Sequence, residues 1–482
     1  MLTVILLLLP LVAAIPLFAL KNGNRARWYA LAVAVIEFGI AVAAFIQYKT
    51  SCHCHLLFSA VWPGSSSVTL KFGMDGISLL LVMLTTLLVS VIILSSFRHS
   101  YQKSSIFYGL ILIMEMALIG VFTAFDGLIF YIFWELVLIP AYFICAVWGG
   151  NDKIRITFKF FIYTFTGSLF MLVALIYVYL QTPLPHSFDI YALYNAALDP
   201  AEQTWIFLAL FLAFAIKIPI FPFHTWQPDT YSEAPGPGTM LLSGIMLKMG
   251  FYGVIRLMIP LCGEALRQFG AIAVLLSVIG IVYASLIAIR QDDMKRLIAY
   301  SSIAHAGLMA AGVFILNSKA LEGAVIQMIS HGVNIVGLFI IIEFIQERVK
   351  TRKISELSGI ATKAPRLATF FMIILLGSIG LPLTNGFVGE FLLLLGLFEY
   401  SVVFAVIAGL SIVFSAVYML RMYQRTMLGK ANTITANITD LTVSEMITLI
   451  PLVILIFWIG MFPGIFLQTV DIDILQILSY SH

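Results

Sequence analysis

Six ionisable residues lie deep inside apolar stretches of this chain. They are Glu135 in FWELVLIP, Lys217 in AIKIPIFPF, Lys248 in LKMGFYG, His305 in AYSSIAHAG, His331 in QMISHGVN and Glu390 in NGFVGEF. A lysine at membrane depth costs on the order of 3 kcal/mol or more, so such residues are retained for a reason. Pro219 and Pro222 follow Lys217 and break its helix, which frees backbone groups and lets water approach. The chemistry that suits these types is proton handling. Two unit charges ~4 Å apart at an effective dielectric of ~20 interact by about 4 kcal/mol, roughly three pH units of proton affinity. Opening or closing a Glu135–Lys217 pair would therefore switch how tightly Lys217 holds its proton. Histidine changes charge near neutral pH, so His305 and His331 suit a relay from Lys248 to Glu390. Glu37 and Glu115 are further buried candidates.

Each residue also has a plainer reading. Glu135 and Lys217 could be a structural ion pair, although such a pair has no need of a broken helix. A lone buried histidine usually donates to a backbone carbonyl; as members of a midplane set, His305 and His331 are better read as relays. Glu37 and Glu115 fit packing or interface roles. Cys52-His53-Cys54-His55 resembles a metal cluster, but Cys-x-Cys is tight for tetrahedral zinc from one short segment. Two transmembrane histidines could ligate haem, but a two-haem path wants two facing pairs. No nucleotide-binding loop follows a strand, because no strand is expected.

The elements that position these residues are membrane helices. The 482 residues are 61% hydrophobic and only 11% charged, with a mean hydropathy of +1.04, whereas soluble domains carry about 25% charged residues. The apolar runs are ~20 residues long and do not alternate, which excludes a β-barrel. The net charge of +3 implies no nucleic-acid partner, and four cysteines, two of them in membrane segments, make no disulfide framework. The first apolar run has no basic flank and no small-residue cleavage site, so it reads as a retained helix.

Fourteen transmembrane helices are expected, at about 2–20, 28–48, 74–96, 105–124, 127–148, 160–181, 204–222, 238–260, 269–289, 296–316, 320–345, 367–396, 402–424 and 445–467. With both termini outside, 20 of the 27 Lys and Arg residues fall in inside loops. Five, including Arg256, fall outside; Lys217 and Lys248 are left in the membrane. Lys295 counts with the inside loops. The longest loops are 49–73 and 182–203. Helices 4–8 and 9–13 form two units of five, and an odd number inverts the second unit relative to the first. The fourth helix of each is interrupted, helix 7 by Pro219 and Pro222, helix 12 by Gly380, Pro382, Asn385 and Gly386, which points to a transport path. The expected architecture is thus an all-α polytopic membrane protein with two inverted five-helix repeats and broken helices 7 and 12. Residues 1–104 form helices 1–3, 105–260 the first repeat, 261–430 the second, and 431–482 the last helix.

At these residues the chain resembles the antiporter-like subunits of respiratory complex I, a family shared with Mrp-type cation/proton antiporters. The resemblance is carried by FWELVLIPAYF around Glu135, KFFIYTFTGS at 159–168, AIKIPIFPFHTWQPDTYSEAP at 215–235, LKMGFYGVIR at 247–256, DDMKRLIAYSSIAHAG at 292–307, QMISHG at 327–332 and NGFVGEF at 385–391. The L-type and N-type members carry lysine in broken helix 12. Glu390 stands there, as in the M-type branch, counterpart of mitochondrial subunit 4, and no long lateral helix follows helix 14. The resemblance implies that Glu135 and Lys217 gate the path, that Lys248 is the central carrier, and that His305 and His331 link it to Glu390 as terminal carrier. Where the family often has histidine, this chain has Tyr231, which leaves the cytoplasmic entry route open, though His224 remains. The resemblance also implies no cofactor on this chain, with FMN, iron–sulfur clusters and quinone in partner subunits. Expected partners are the lipid bilayer and the L-type and N-type subunits, and the expected location is the bacterial inner membrane. An Mrp-type antiporter subunit and a membrane-bound hydrogenase subunit are the alternatives.

Overall fold

A computed structural model describes residues 1–50, 56–61 and 69–481. Cys52-His53-Cys54-His55 lies outside the described residues. The helices run in chain order. α1 (Leu2–Ala19), α2 (Gly23–Thr50), α3 (Gly76–Ser95) and α4 (Ser104–Thr123) are followed by α5 (Gly127–Leu136) and α6 (Leu138–Trp148). Next come α7 (Lys153–Gln181), α8 (Ile190–Tyr194), α9 (Pro200–Lys217), α10 (Gln227–Glu233), α11 (Gly236–Leu241), α12 (Leu247–Gly253) and α13 (Ile259–Leu261). The remainder are α14 (Gly263–Arg290), α15 (Met294–Val313), α16 (Ser318–Val349), α17 (Pro365–Ser378), α18 (Asn385–Tyr400), α19 (Val402–Met427), α20 (Val443–Met461) and α21 (Gly464–Ser479).

Twelve helices among the described residues are long and apolar enough to cross a membrane, against fourteen expected. The difference has local causes. α15 carries Lys295, Arg296, two serines and His305, which dilute its hydropathy. The expected span 367–396 is broken into α17 and α18, of 14 and 16 residues. The expectation of no strands is corrected. Phe58–Val61 (β1) and Thr69–Phe72 (β2) pair antiparallel, with Phe58 opposite Phe72, inside the loop expected to be irregular. These four-residue runs, FSAV and TLKF, are too short to register against the apolar helices around them.

Aspartates and other short polar residues start the helices by accepting orphan amide protons. Asp75 caps α3 through the Ser78 amide, and Asp126 caps α5 through Leu128 and Ile129. Asp199 and Glu202 form a reciprocal capping box at α9, with Pro200 as its first residue. Asp293 caps α15, Asn317 caps α16, and Thr442 with Glu445 caps α20.

The chain divides into two compact units. The first holds Met1–Ile218, Ile245–Ala271 and Gln468–His482; the second holds Pro219–Gly244 and Ile272–Leu467. In the first, α1 packs on α2 and α4, α7 on α9, and α9 on α12. Gly250 of α12 makes that last approach possible: a Cβ there would lie 2.6 Å from the Ile218 side chain. Arg256, assigned above to an outer loop, is instead 4% exposed and ion-paired with Asp75, with Tyr252 bonded to its Nε at 3.2 Å. A buried guanidinium is tolerable only when so paired. In the second unit α16 is the central helix, packed by α15, α17, α18 and α20, and the whole of its most apolar window is buried. Its last turn is anchored by Arg348, whose Nη2 donates to both Glu445 carboxylate oxygens at 2.7 and 2.8 Å.

Candidate functional site: two clusters of buried ionisable residues

In the first unit, Glu135 is the penultimate residue of α5, where the helix is interrupted at Val137 before α6 resumes. Pro140 supplies the reason, because it has no amide proton to donate back to the Leu136 carbonyl. Lys217 is the last residue of α9, immediately before the Pro219 break. It is 1% exposed, and its Nζ has no hydrogen-bond partner. The ammonium lies 5.3 Å from the centroid of the Trp134 ring, a cation–π contact that a desolvated charge makes worth about 2 kcal/mol. Glu135 is the carboxylate whose field reaches Lys217, yet the two are too far apart for an ion-pair contact, and Glu135 Oε1 is itself without a hydrogen-bond partner. The pairing expected from sequence is therefore open in this structure. Trp134 packs in turn against Phe214, with ring centroids 5.7 Å apart.

Lys248 is 0% exposed. It sits in α12 between two π-helical stretches, Leu242–Met246 and Val254–Met258. Single π-turns inside α-helices recur at functional sites because they misalign the backbone ladder. A Cβ at Gly250 would lie 3.4 Å from Lys217 Cβ, so the turn bearing Lys248 packs directly on the Lys217 stem. Glu37 and Glu115 are both 0% exposed, and none of their four carboxyl oxygens has a hydrogen-bond partner.

The second unit assembles the other residues differently. His305 Nδ1 lies 3.2 Å from Glu390 Oε1, and Gln327 Nε2 donates to the same oxygen at 3.4 Å. The His331 ring centroid is 6.2 Å from that of His305, and His331 Nε2 meets Ser302 Oγ at 3.1 Å. Gln227 Nε2 extends the chain to Ser302 Oγ at 3.4 Å. Beside them, Asn334 Nδ2 donates to Asn385 Oδ1 at 3.1 Å. A cavity of about 10 Å³ opens among Ser301, His305, Gln327, His331, Asn334 and Ser378, the room of one water molecule. The helix break is built around Glu390. Gly380 has φ +71°, and a Cβ there would lie 2.4 Å from Glu390 Oε2. Leu383 in the same break also has positive φ, +73°, which costs a non-glycine residue on the order of 1 kcal/mol.

A profile described as "NADH:quinone oxidoreductase/Mrp antiporter, TM" matches residues 124–415. NADH-quinone oxidoreductase subunit M of Rickettsia conorii is 41% identical over 457 residues, covering 94% of this chain and 92% of that one. The chain belongs to this family. Among solved structures, a chain of respiratory complex I from Thermus thermophilus superposes with a TM-score of 0.92 at 30% identity, each chain covered in full. A chain of the Mrp complex from Dietzia shares the fold, with a TM-score of 0.87 at 18% identity over 99% of this chain and 97% of that one.

All six sequence-expected residues of this family member fall inside the matched stretch. The structure brings Lys217 against the Lys248 turn, and His305 against Glu390. It leaves Glu135 apart from Lys217. Sequence reasoning missed Lys295, which is buried, donates to the Ala234 carbonyl at 2.9 Å and lies 3.4 Å from Glu343 Oε1. Its position just before the span expected at 296–316 reads as an inside loop. Sequence reasoning also missed Gln227, Ser302 and Gln327, neutral residues that carry no charge signal: Ser302 meets His331, Gln227 meets Ser302, and Gln327 meets Glu390. Tyr231, which replaces the frequent family histidine, is fully buried. His224 stacks on Phe221 and meets Tyr283 edge-on, at 5.7 and 5.1 Å between ring centroids.

Outside the spanning helices, Asp126 is a buried carboxyl between α4 and α5. Burial pushes its carboxyl up to about 6, against the pull of the Ile129 and Leu128 amides.

Proposed function

We propose that this chain is the M-type proton-translocating membrane subunit of an NADH–quinone oxidoreductase, and that Glu135, Lys217, Lys248, His305, His331 and Glu390 carry the protons. The observation that carries the reading is Lys217: a fully buried ammonium at a helix break, held by an aromatic face, with its carboxylate partner near but unpaired. In this arrangement, movement of Glu135 toward or away from Lys217 alters the field on the ammonium and sets when it releases its proton. The proton goes to Lys248, whose helical turn already packs on the Lys217 stem. In the second unit, a proton on His305 Nδ1 passes along its contact to Glu390 Oε1, and His331 with Ser302 reloads the imidazole. The chain binds no redox group of its own in this proposal. FMN, iron–sulfur clusters and quinone belong to partner subunits, and energy arrives as rearranged ion pairs.

Membership of the family and the likeness to a complex I chain support a place in the membrane arm, with the L-type and N-type subunits as neighbours. The excess of basic residues in alternate loops supports a bacterial inner-membrane location with both termini outside. Breaks at Pro219–Pro222 and Gly380–Gly386 support inverted repeats at 105–260 and 261–430. The family description names Mrp antiporters as well, so a cation/proton antiporter subunit is the second reading. Purification from the native membrane separates the two: flavin and iron–sulfur subunits co-purify under the first reading only. The same preparation tests the mechanism. Lys217→Ala leaves the complex assembled and abolishes coupled proton uptake in proteoliposomes; wild-type stoichiometry in that variant overturns the assignment.

A further inference from the structure

Three arginines converge on a surface cavity of the second unit. The cavity, about 180 Å³, is lined by Arg290 at the end of α14, by Arg421 and Arg425 near the end of α19, and by Asp292, Ile354 and Tyr418 among others. Its charges are not balanced from within. Asp292 is engaged elsewhere, accepting from the Ser355 amide at 2.9 Å and the Ser355 hydroxyl at 2.6 Å. Arg421 donates to the Ile289 carbonyl at 3.3 Å, a neutral partner. Among the described residues, none of the three arginines has a carboxylate partner. The Tyr418 hydroxyl is taken by Ser301 at 3.0 Å.

The helices that bring these arginines carry a second signal. On α19, Val413, Val417, Arg421 and Arg425 recur every four residues and so share one face; the two valines are exposed. On α14, Ile279, Tyr283, Leu286 and Arg290 follow spacings of four, three and four, and the first three are exposed. Two exposed apolar stripes therefore run into one cationic cavity. An arginine at a single helix end merely extends to the membrane surface. Two stripes ending on a common cavity with unpaired guanidiniums match a molecule that has acyl chains and an anionic head.

We propose that this cavity binds the phosphodiester headgroup of an anionic phospholipid, with Arg290, Arg421 and Arg425 on the phosphate and the acyl chains along the exposed faces of α14 and α19. Guanidinium forks suit phosphate oxygens, and basic pockets between membrane helices take lipid headgroups. The site is separate from the proton-carrying residues, so its failure leaves the proposed function untouched.

The test uses the intact membrane complex purified with this chain. Cryo-electron microscopy is done in phosphatidylglycerol nanodiscs, and in phosphatidylcholine nanodiscs with inorganic phosphate added. Headgroup density between the arginines, continuous with acyl density on both stripes, is expected in the first preparation and not in the second. Arg290→Gln and Arg425→Gln remove guanidiniums that hold no carboxylate, so the fold is retained. Each lowers phosphatidylglycerol affinity in a native mass-spectrometry titration roughly fivefold, since a basic residue near an anionic headgroup contributes about 1 kcal/mol. Isolated phosphate in the cavity, phosphatidylcholine in it, an acidic side chain of a neighbouring subunit in it, an empty cavity in both preparations, or unchanged affinity in both variants overturns the proposal.

Discussion

The two clusters differ in how they hold their ionisable groups. In the first unit Lys217 and Glu135 do not pair: Lys217 Nζ and Glu135 Oε1 make no hydrogen bond, and Lys217 Nζ lies against the face of Trp134. In the second unit His305 touches Glu390, His331 touches Ser302, and Gln327 touches Glu390. Unpaired buried charge is costly, so a small movement of a counter-charge changes its proton affinity steeply. A hydrogen-bonded chain responds weakly to such movement and instead offers a short transfer distance. The first arrangement suits a switch and the second a conduit.

Substitutions can break this contrast. Lys217→Ala has the largest expected effect. It removes the switched charge, and turnover-coupled pumping in proteoliposomes falls on the order of 10²-fold, as for loss of a positioned proton-transfer group. A smaller loss would mean that Lys217 is a structural cation. His305→Ala breaks the conduit: it removes a contact to a carboxylate of the class worth about 1.5–3 kcal/mol, and pumping falls roughly tenfold or more. Trp134→Leu keeps the volume apolar but deletes the cation–π contact, worth about 2 kcal/mol in a dry site. Its effect should appear only with Lys217 present, so a Trp134→Leu/Lys217→Ala double variant behaves as Lys217→Ala alone. Gly380→Ala strains the break by about 1–2 kcal/mol and pushes the new methyl into Glu390, so the Glu390 carboxyl band shifts in infrared difference spectra while the first cluster is unchanged.

Asp126 gives the smallest effect and serves as a control outside both clusters. Its carboxyl is raised in the folded protein to about 6 from a model-compound value of 3.8. The folded state therefore holds the extra proton between those values, and stability falls as pH rises through that window and is flat above it. The wild type should lose thermal stability relative to Asp126→Asn between pH 4 and 6, and the difference should stop growing above that. The opposite slope would mean that the Leu128 and Ile129 amides outweigh burial.

Charge in an apolar run is a signal that needs no alignment, and the six residues of the proposed path are legible from it. The breaks after Lys217 and before Glu390 were legible too, because proline and glycine act on the backbone locally. The interruption at Val137 was less visible, since Pro140 lies within an otherwise apolar run. The π-helical stretches around Lys248 had no clear mark beyond Ser243, Gly244 and Gly250. Arg256 and Lys295 were misread because a charge at the end of a span looks the same whether it meets water or a carboxylate. Only packing against Asp75 and Glu343 distinguishes them.

The sequence by itself determined that this is a helical membrane protein with charge at depth, because the cost of placing polar groups in hydrocarbon dominates every other local preference. It also determined where two helices must break. Tertiary structure decided which charges meet. Glu135 and Lys217 are 82 positions apart in sequence by simple subtraction of their numbers, His305 and Glu390 are 85 apart, and nothing in that spacing says that the first pair stays open while the second closes. That depends on which side chains the helices bring against one another, and such contacts exist only once the helices have packed.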